Sequence, residues 1–184
     1  MVRFFKGIAI LCIVGVLAAC DNNTPLMEQV IAADPKGVAA ELAKGSDIEA
    51  RNSFGWTALT HAARAGNLEM VRLLLDNGAN VNAVDDTSWS PLLRAAMKGH
   101  TDVVKLLLAR GADVHHVDNN KWSALHWAAQ QGNGDVMRLL IEAGANLNAE
   151  TADGWTPRMV AQNAGHVDLA NLISRWMNDA GVRK

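Results

Sequence analysis

Few side chains in this sequence could perform chemistry, and their spacing argues against most of it. The adjacent pair His115-His116 suggests a metal, but neighbours on an extended loop point to opposite sides. A zinc site needs about three or four convergent ligands. Asp118-Asn119-Asn120 lacks the spacing and terminal glutamate of a calcium loop and reads as a turn. Gly132-Asn133-Gly134 has no third glycine to complete a dinucleotide fingerprint, and no G-x-S-x-G, H-E-x-x-H or Walker loop occurs. No catalytic residue, metal or cofactor is expected, and the protein is not read as an enzyme. Recognition remains. Four of the six tryptophans, Trp56, Trp89, Trp122 and Trp155, follow one another at intervals of 33 residues, in a chain without tyrosine. Tryptophan is enriched among binding hot spots, where a large rigid side chain loses little entropy on burial.

The same interval governs the residues around the tryptophans. Each directly precedes a residue able to cap a helix, Thr57, Ser90, Ser123 or Thr156. Pro91 and Pro157 stand at the first helical position, where a missing N–H is harmless. Ala62-Ala63, Ala95-Ala96 and Ala128-Ala129 allow neighbouring helices to approach closely. Gly66, Gly99, Gly132 and Gly165 end this first helix in a left-handed conformation. A second helix buries Val71, Leu74 and Leu75, then Val104, Leu107 and Leu108, at i, i+3, i+4 spacing. Gly78, Gly111 and Gly144 end it.

Set in register, the segments read TALTHAARAGNLEMVRLLLDNGANVNA, SPLLRAAMKGHTDVVKLLLARGADVHH, SALHWAAQQGNGDVMRLLIEAGANLNA and TPRMVAQNAGHVDLANLISRW. A weaker copy, TPLMEQVIAADPKGVAAELAKGSDIEA, precedes them. This pattern resembles the ankyrin repeat over residues 24–176. The resemblance implies an all-α repeat solenoid of helix–turn–helix–β-loop units, about five with degenerate capping repeats. Residues 24–50 form the N-cap repeat, 51–83, 84–116 and 117–149 the internal ones, 150–176 the C-cap repeat and 177–184 a tail. A polar outer face at each end keeps such a stack soluble. Arg158 fits that need, standing where the internal repeats have Leu59, Leu92 and Leu125.

In ankyrin proteins the loop tips and first helices line a concave groove, and partners usually bind there. Matched residue by residue, that surface comprises Phe54, Trp56, Arg64 and Ala65 in one repeat, then Asp86, Thr87, Trp89, Met97 and Lys98. The third repeat contributes Asn119, Asn120, Trp122, Gln130 and Gln131, and the last Asp153, Trp155, Asn163 and Ala164. The position held by Arg64, Met97, Gln130 and Asn163 differs in every repeat while the scaffold barely changes. The tryptophans are open to two readings, partner anchors or rings packed between repeats. Of the histidines, His100 and His166 match the family's G-H at the start of the second helix. His126 matches the family histidine that ties adjacent loops, and His61 has no assigned role.

The amino-terminal end is different in kind. Arg3 and Lys6 precede the apolar run GIAILCIVGVLAA, which is too short for the roughly 20 residues of a membrane-spanning helix. This describes a signal peptide over residues 1–19. Leu17-Ala18-Ala19-Cys20 resembles the lipobox of bacterial lipoproteins, which implies that Cys20 is acylated and begins the mature chain. Cys12 would leave with the signal, so no disulfide or cysteine metal site is expected. Residues 20–23 make a lipidated terminus and short tether. Asp21 after the cysteine resembles a signal for retention in the inner membrane, with the protein on its periplasmic face.

The chain's net charge is −2, and loss of Arg3 and Lys6 makes the mature protein −4. A mildly acidic chain without basic clusters is not expected to bind nucleic acid or to be drawn to anionic lipid. Membrane attachment would rest on acyl chains, of which a stable anchor needs more than one. The expected protein is a monomeric, lipid-anchored module that binds another protein. Two alternatives stay open: an inhibitor masking a toxin or enzyme, and a helper stabilising a periplasmic enzyme such as one of oxidative defence.

Overall fold

A computed structural model describes residues 21–182; the signal segment 1–19 and Cys20 lie outside the described residues. Among the described residues the secondary structure is helical, in five consecutive pairs. They are α1 (Pro25–Ile31) with α2 (Pro35–Ala43), α3 (Ala58–Ala65) with α4 (Leu68–Asp76), and α5 (Pro91–Lys98) with α6 (Thr101–Ala109). Then follow α7 (Ala124–Gln130) with α8 (Gly134–Glu142), and α9 (Pro157–Asn163) with α10 (Val167–Val182). First helices stack on first helices along the whole array, and second helices on second helices through the first four pairs.

The helix starts follow from the caps. Thr57 Oγ1 accepts the Thr60 N–H at 3.3 Å, and Ser90 Oγ accepts that of Leu93 at 3.3 Å. In the first pair Thr24 and Asp34 cap α1 and α2 in the same manner. The alanine pairs are fully buried where first helices meet, with Leu59, Leu92 and Leu125 beside them. Second helices bury Met70, Val71 and Leu74, and Val103, Val104 and Leu107. Leu75 and Leu108, expected in that stripe, are only half-buried and pack at its edge.

Gly66 and Gly99 have a double reason to be glycine. Both sit at positive φ, 74° and 75°, and both are overlaid by a side chain of the following repeat. A Cβ on Gly66 would lie 2.5 Å from His100 Nδ1. That imidazole is held by a 3.0 Å contact from Nε2 to the Arg64 carbonyl. Gly144 has φ 94° and nothing within 4 Å of a Cβ. Gly144→Ala should therefore cost about 1 kcal/mol, from backbone strain alone, and Gly66→Ala about 2–3 kcal/mol. Equal urea midpoints for the two variants would mean that the His100 contact contributes nothing.

The two ends depart from the expected boundaries. Residues 21–23, expected as a tether, pack on the first loop. The Asp21 carbonyl accepts both the backbone N–H and Oγ–H of Ser53, at 3.1 and 2.9 Å. Asn23 Oδ1 accepts from Asn52 Nδ2 at 2.8 Å. At the other end α10 continues past residue 176, the expected close of the last repeat, to Val182. Its 33-residue counterpart to Gly78, Gly111 and Gly144 is Met177, so nothing stops the helix there.

Candidate binding groove

One buried side chain places each tryptophan. Oδ1 of Asn52, Asp85 and Asp118 accepts the N–H groups two and four residues on, the latter those of Trp56, Trp89 and Trp122, all at 3.0 Å. Thr151 Oγ1 takes the Trp155 N–H at 3.1 Å. Each loop thereby becomes a tight Asx- or ST-turn that presents its indole at the mouth of a first helix.

The remaining polar atom of each turn residue faces the side chain nine residues later. Asn52 Nδ2 lies 3.3 Å from His61 Nε2. Asp85 Oδ2 forms a short ion pair with Arg94, and Asp118 Oδ2 accepts Trp127 Nε1–H at 3.1 Å. At Thr151 the partner position is Val160, and the pairing stops.

These partners rise from the first helices between successive indoles. The Arg94 guanidinium stands 4.3 Å from the Trp56 ring centroid and 4.5 Å from that of Trp89. The Trp127 ring stands 4.5 Å from both Trp89 and Trp122. A continuous stack results, Trp56–Arg94–Trp89–Trp127–Trp122, built from cation–π and tilted aromatic contacts. Trp56, Trp89 and Trp122 are half-buried in it, whereas Trp155 is 39% exposed. The inner three join repeats, and the last presents a free face.

Electrostatics follow the burial. Burial pushes the Asp85 carboxyl up, but Arg94, the Thr87 hydroxyl and the Trp89 and Thr87 amides outweigh it and hold it below its ordinary value. Burial and then the charge of Arg64 drive His61 down to about 4, with Asp21 opposing and Arg94 adding. Burial also lowers His126, against the pull of the Trp155 and Ala149 carbonyls and of Asp118.

Both imidazoles are therefore neutral when folded, while in the unfolded chain they titrate near their ordinary pKa of about 6.5. As pH falls from 6.5 to 4, the unfolded chain gains a proton at His61 that the folded one refuses, so stability falls across that window. The His61 contribution to this loss is on the order of 3 kcal/mol by pH 4. The Asp85 contribution persists until pH drops below the ordinary carboxylate range, then is lost. His61→Gln should flatten the urea midpoint between pH 7 and 4.5; an unchanged slope would refute the assignment.

The structure gathers part of the expected surface into two clefts. Phe54, Trp56, Arg64, Ala65 and Lys98 line one of about 470 Å³, together with Ile31, His61 and Asp21. Trp122, Gln130, Asp153, Trp155, Asn163 and Ala164 line another of about 230 Å³, with Val160 at its base. Trp89 stands between them in the stack. Met97 and Gln131 line neither cleft. Asp86, Thr87, Asn119 and Asn120 serve the loops instead. Asp86 lies against Gly55, and Thr87 Oγ1–H bonds Asp85 at 2.7 Å. Asn119 Oδ1 accepts from Ser88 Oγ at 2.8 Å, and the Asn120 carbonyl from the Ala152 N–H at 3.0 Å. His116 Nε2 contacts the Ser88 carbonyl at 2.7 Å, so it too joins neighbouring loops. Arg94 and Trp127 were not among the expected surface residues. The interval of nine from Asp85 and Asp118 is the sequence signal that marks them.

Stacked helix pairs joined by turn loops, with an open groove, define a helical repeat solenoid of the interaction-module type. Residues 16–118 and 111–182 match the family model described as ankyrin repeats (3 copies), and the chain belongs to the ankyrin-repeat family. Such repeats are generally protein–protein interaction modules rather than enzymes. No curated protein matches the chain.

Proposed function

We propose that this protein is a lipid-anchored module on the periplasmic face of a bacterial inner membrane, binding another protein along its concave groove. The observation carrying the binding surface is the pair of clefts that flank the aromatic stack. Each exposes a large ring that packing does not require, Phe54 at 52% and Trp155 at 39%. Variable polar side chains, Arg64 and Lys98 at one end and Gln130, Asp153 and Asn163 at the other, select the partner.

The anchor reading rests on the lipobox-like sequence before Asp21. The Asp21–Ser53 contacts support it by fixing where the chain leaves the fold, beside the larger cleft. Acyl chains on Cys20 would then hold that end of the groove near the bilayer.

Crosslinked capture from intact membranes tests the surface. Truncating Trp56, Trp89 or Trp122 would break the stack, at about 3–5 kcal/mol each, so the informative variant is Phe54→Ser combined with Trp155→Ala. A partner caught by the wild type and lost from this variant is the expected result. The same partner caught equally by both would reject the groove. Cys20→Ser should move the protein out of the membrane fraction; unchanged fractionation would reject the anchor. Loss or gain of the captured protein's activity on binding separates an inhibitor from a helper.

A further inference from the structure

The aromatic stack has one interval that the chain does not fill. Between Trp56 and Trp89 the first helix supplies the Arg94 guanidinium, and between Trp89 and Trp122 it supplies the Trp127 indole. Between Trp122 and Trp155 the same helix position is Val160, and the smaller cleft opens there. We propose that this cleft takes an arginine side chain of the protein partner, held between Trp122 and Trp155 as Arg94 is held between Trp56 and Trp89.

Three observations select that occupant. The cleft, at about 230 Å³, is smaller than the roughly 300–1,000 Å³ of small-molecule sites, so it suits one side chain rather than a metabolite. Its walls include the Trp122 and Trp155 indoles, the latter 39% exposed, and a planar cation stacks favourably on such faces. Its polar atoms include acceptors. Gln130 Oε1 is buried without a hydrogen-bond partner, and the Asp153 carboxylate stands on the lining.

An incoming phenyl ring would stack equally well but leave Gln130 Oε1 unsatisfied, and an indole would bring a single neutral N–H with no charge to answer Asp153. A lysine would satisfy one acceptor as a point charge, without the flat face and forked donors of arginine. The Asp85–Arg94 pair shows the same chemistry already at work two intervals earlier in the same stack. Thr151 and Val160 replace that pair here, which leaves both donor and cation to come from outside.

This inference rests on the reading of the groove as a protein-binding surface, and it is testable without the partner. The probe is the peptide acetyl-Gly-Arg-Gly-amide, compared with its lysine and citrulline counterparts, added to the full chain in detergent. The indole N–H resonances of Trp122 and Trp155 are followed. Arginine peptide should shift both, and bind about tenfold more tightly than the uncharged citrulline peptide.

Thr151→Asp combined with Val160→Arg builds the Asp85–Arg94 arrangement into the cleft, and should weaken peptide binding at least about tenfold. Trp155→Ala, which removes an exposed wall, should do the same should the double variant fold poorly. Absent shifts, equal binding of citrulline, or binding unchanged in Trp155→Ala would overturn the proposal. In membrane capture, a partner retained equally by the wild type and the Trp155→Ala variant overturns the arginine site and leaves the module reading standing. Failure of every form to capture a protein overturns the module reading, and the partner arginine with it.

Discussion

Arg94→Ala is expected to lower the unfolding free energy by about 3–5 kcal/mol, a large part of the stability of a domain this size. The effect has a specific origin. Asp85 has a side chain only 1% exposed, and Arg94 is its ion-pair partner. Truncation leaves a buried carboxylate with neutral donors alone, from the Thr87 hydroxyl and the Thr87 and Trp89 amides. It also removes the cation from between Trp56 and Trp89, so the contact that joins the first two loops disappears with the charge.

The pair is not ideal in itself. Arg94 Nε is buried without a hydrogen-bond partner, so part of the guanidinium's hydration is never replaced. Asp85→Asn with Arg94→Met should therefore recover most of the loss. Asn keeps the turn that Asn52 makes in the preceding repeat, and Met refills the space between the indoles. Urea titration of the two single variants and the double variant gives the coupling directly. A cost below about 1 kcal/mol for Arg94→Ala would show that solvent reaches Asp85 and that the stack does not bind the repeats together.

What the sequence made legible was what repeats. Caps, alanine pairs and terminating glycines recur at the same register and report a helix pair each time. The interleaved side chains escaped that reading for the converse reason. His61, Arg94, Trp127 and Val160 occupy one structural position yet share no chemistry, so alignment of the repeats shows only variation there. Their logic lies in complementarity with Asn52, Asp85, Asp118 and Thr151, across an interval of nine residues. That interval matches neither the helical nor the strand period, because it joins a loop to a helix. Likewise, Asp21 to Asn23 read as a tether because nothing local orders them. Their partners are Ser53 and Asn52, some thirty residues on. The tryptophans were found by their period, but whether a given ring faces a neighbour or solvent depended on the rung beside it. Beside Trp155 the rung is only Val160, and that ring is 39% exposed.

The second large effect is expected at His126, which is fully buried at the junction of the third and fourth internal loops. Its Nε2 contacts the Ala149 and Trp155 carbonyls at 3.1 and 3.0 Å. Carbonyls only accept, so Nε2 carries the proton, and Nδ1 of the neutral ring accepts from the Ser123 amide and hydroxyl at 3.2 and 2.8 Å. One ring therefore closes the start of α7 and holds the loop that carries Trp155. His126→Ala should cost about 3–4 kcal/mol, from a cavity and unpaired polar groups together. His126→Leu separates the two. Leu93 is buried at the equivalent position one repeat earlier, so the backbone accepts that shape, and the remaining cost of about 1–2 kcal/mol is that of the lost polar contacts. In a solenoid such a loss acts on the nearest neighbour. Amide exchange in α9 and α10 should accelerate in His126→Leu while that of α3 to α6 stays unchanged. Uniform acceleration along the chain would mean that the stack unfolds as one unit and that His126 has no local role. Selective acceleration would show that a single buried imidazole ties the outer wall of the smaller cleft to the rest of the array.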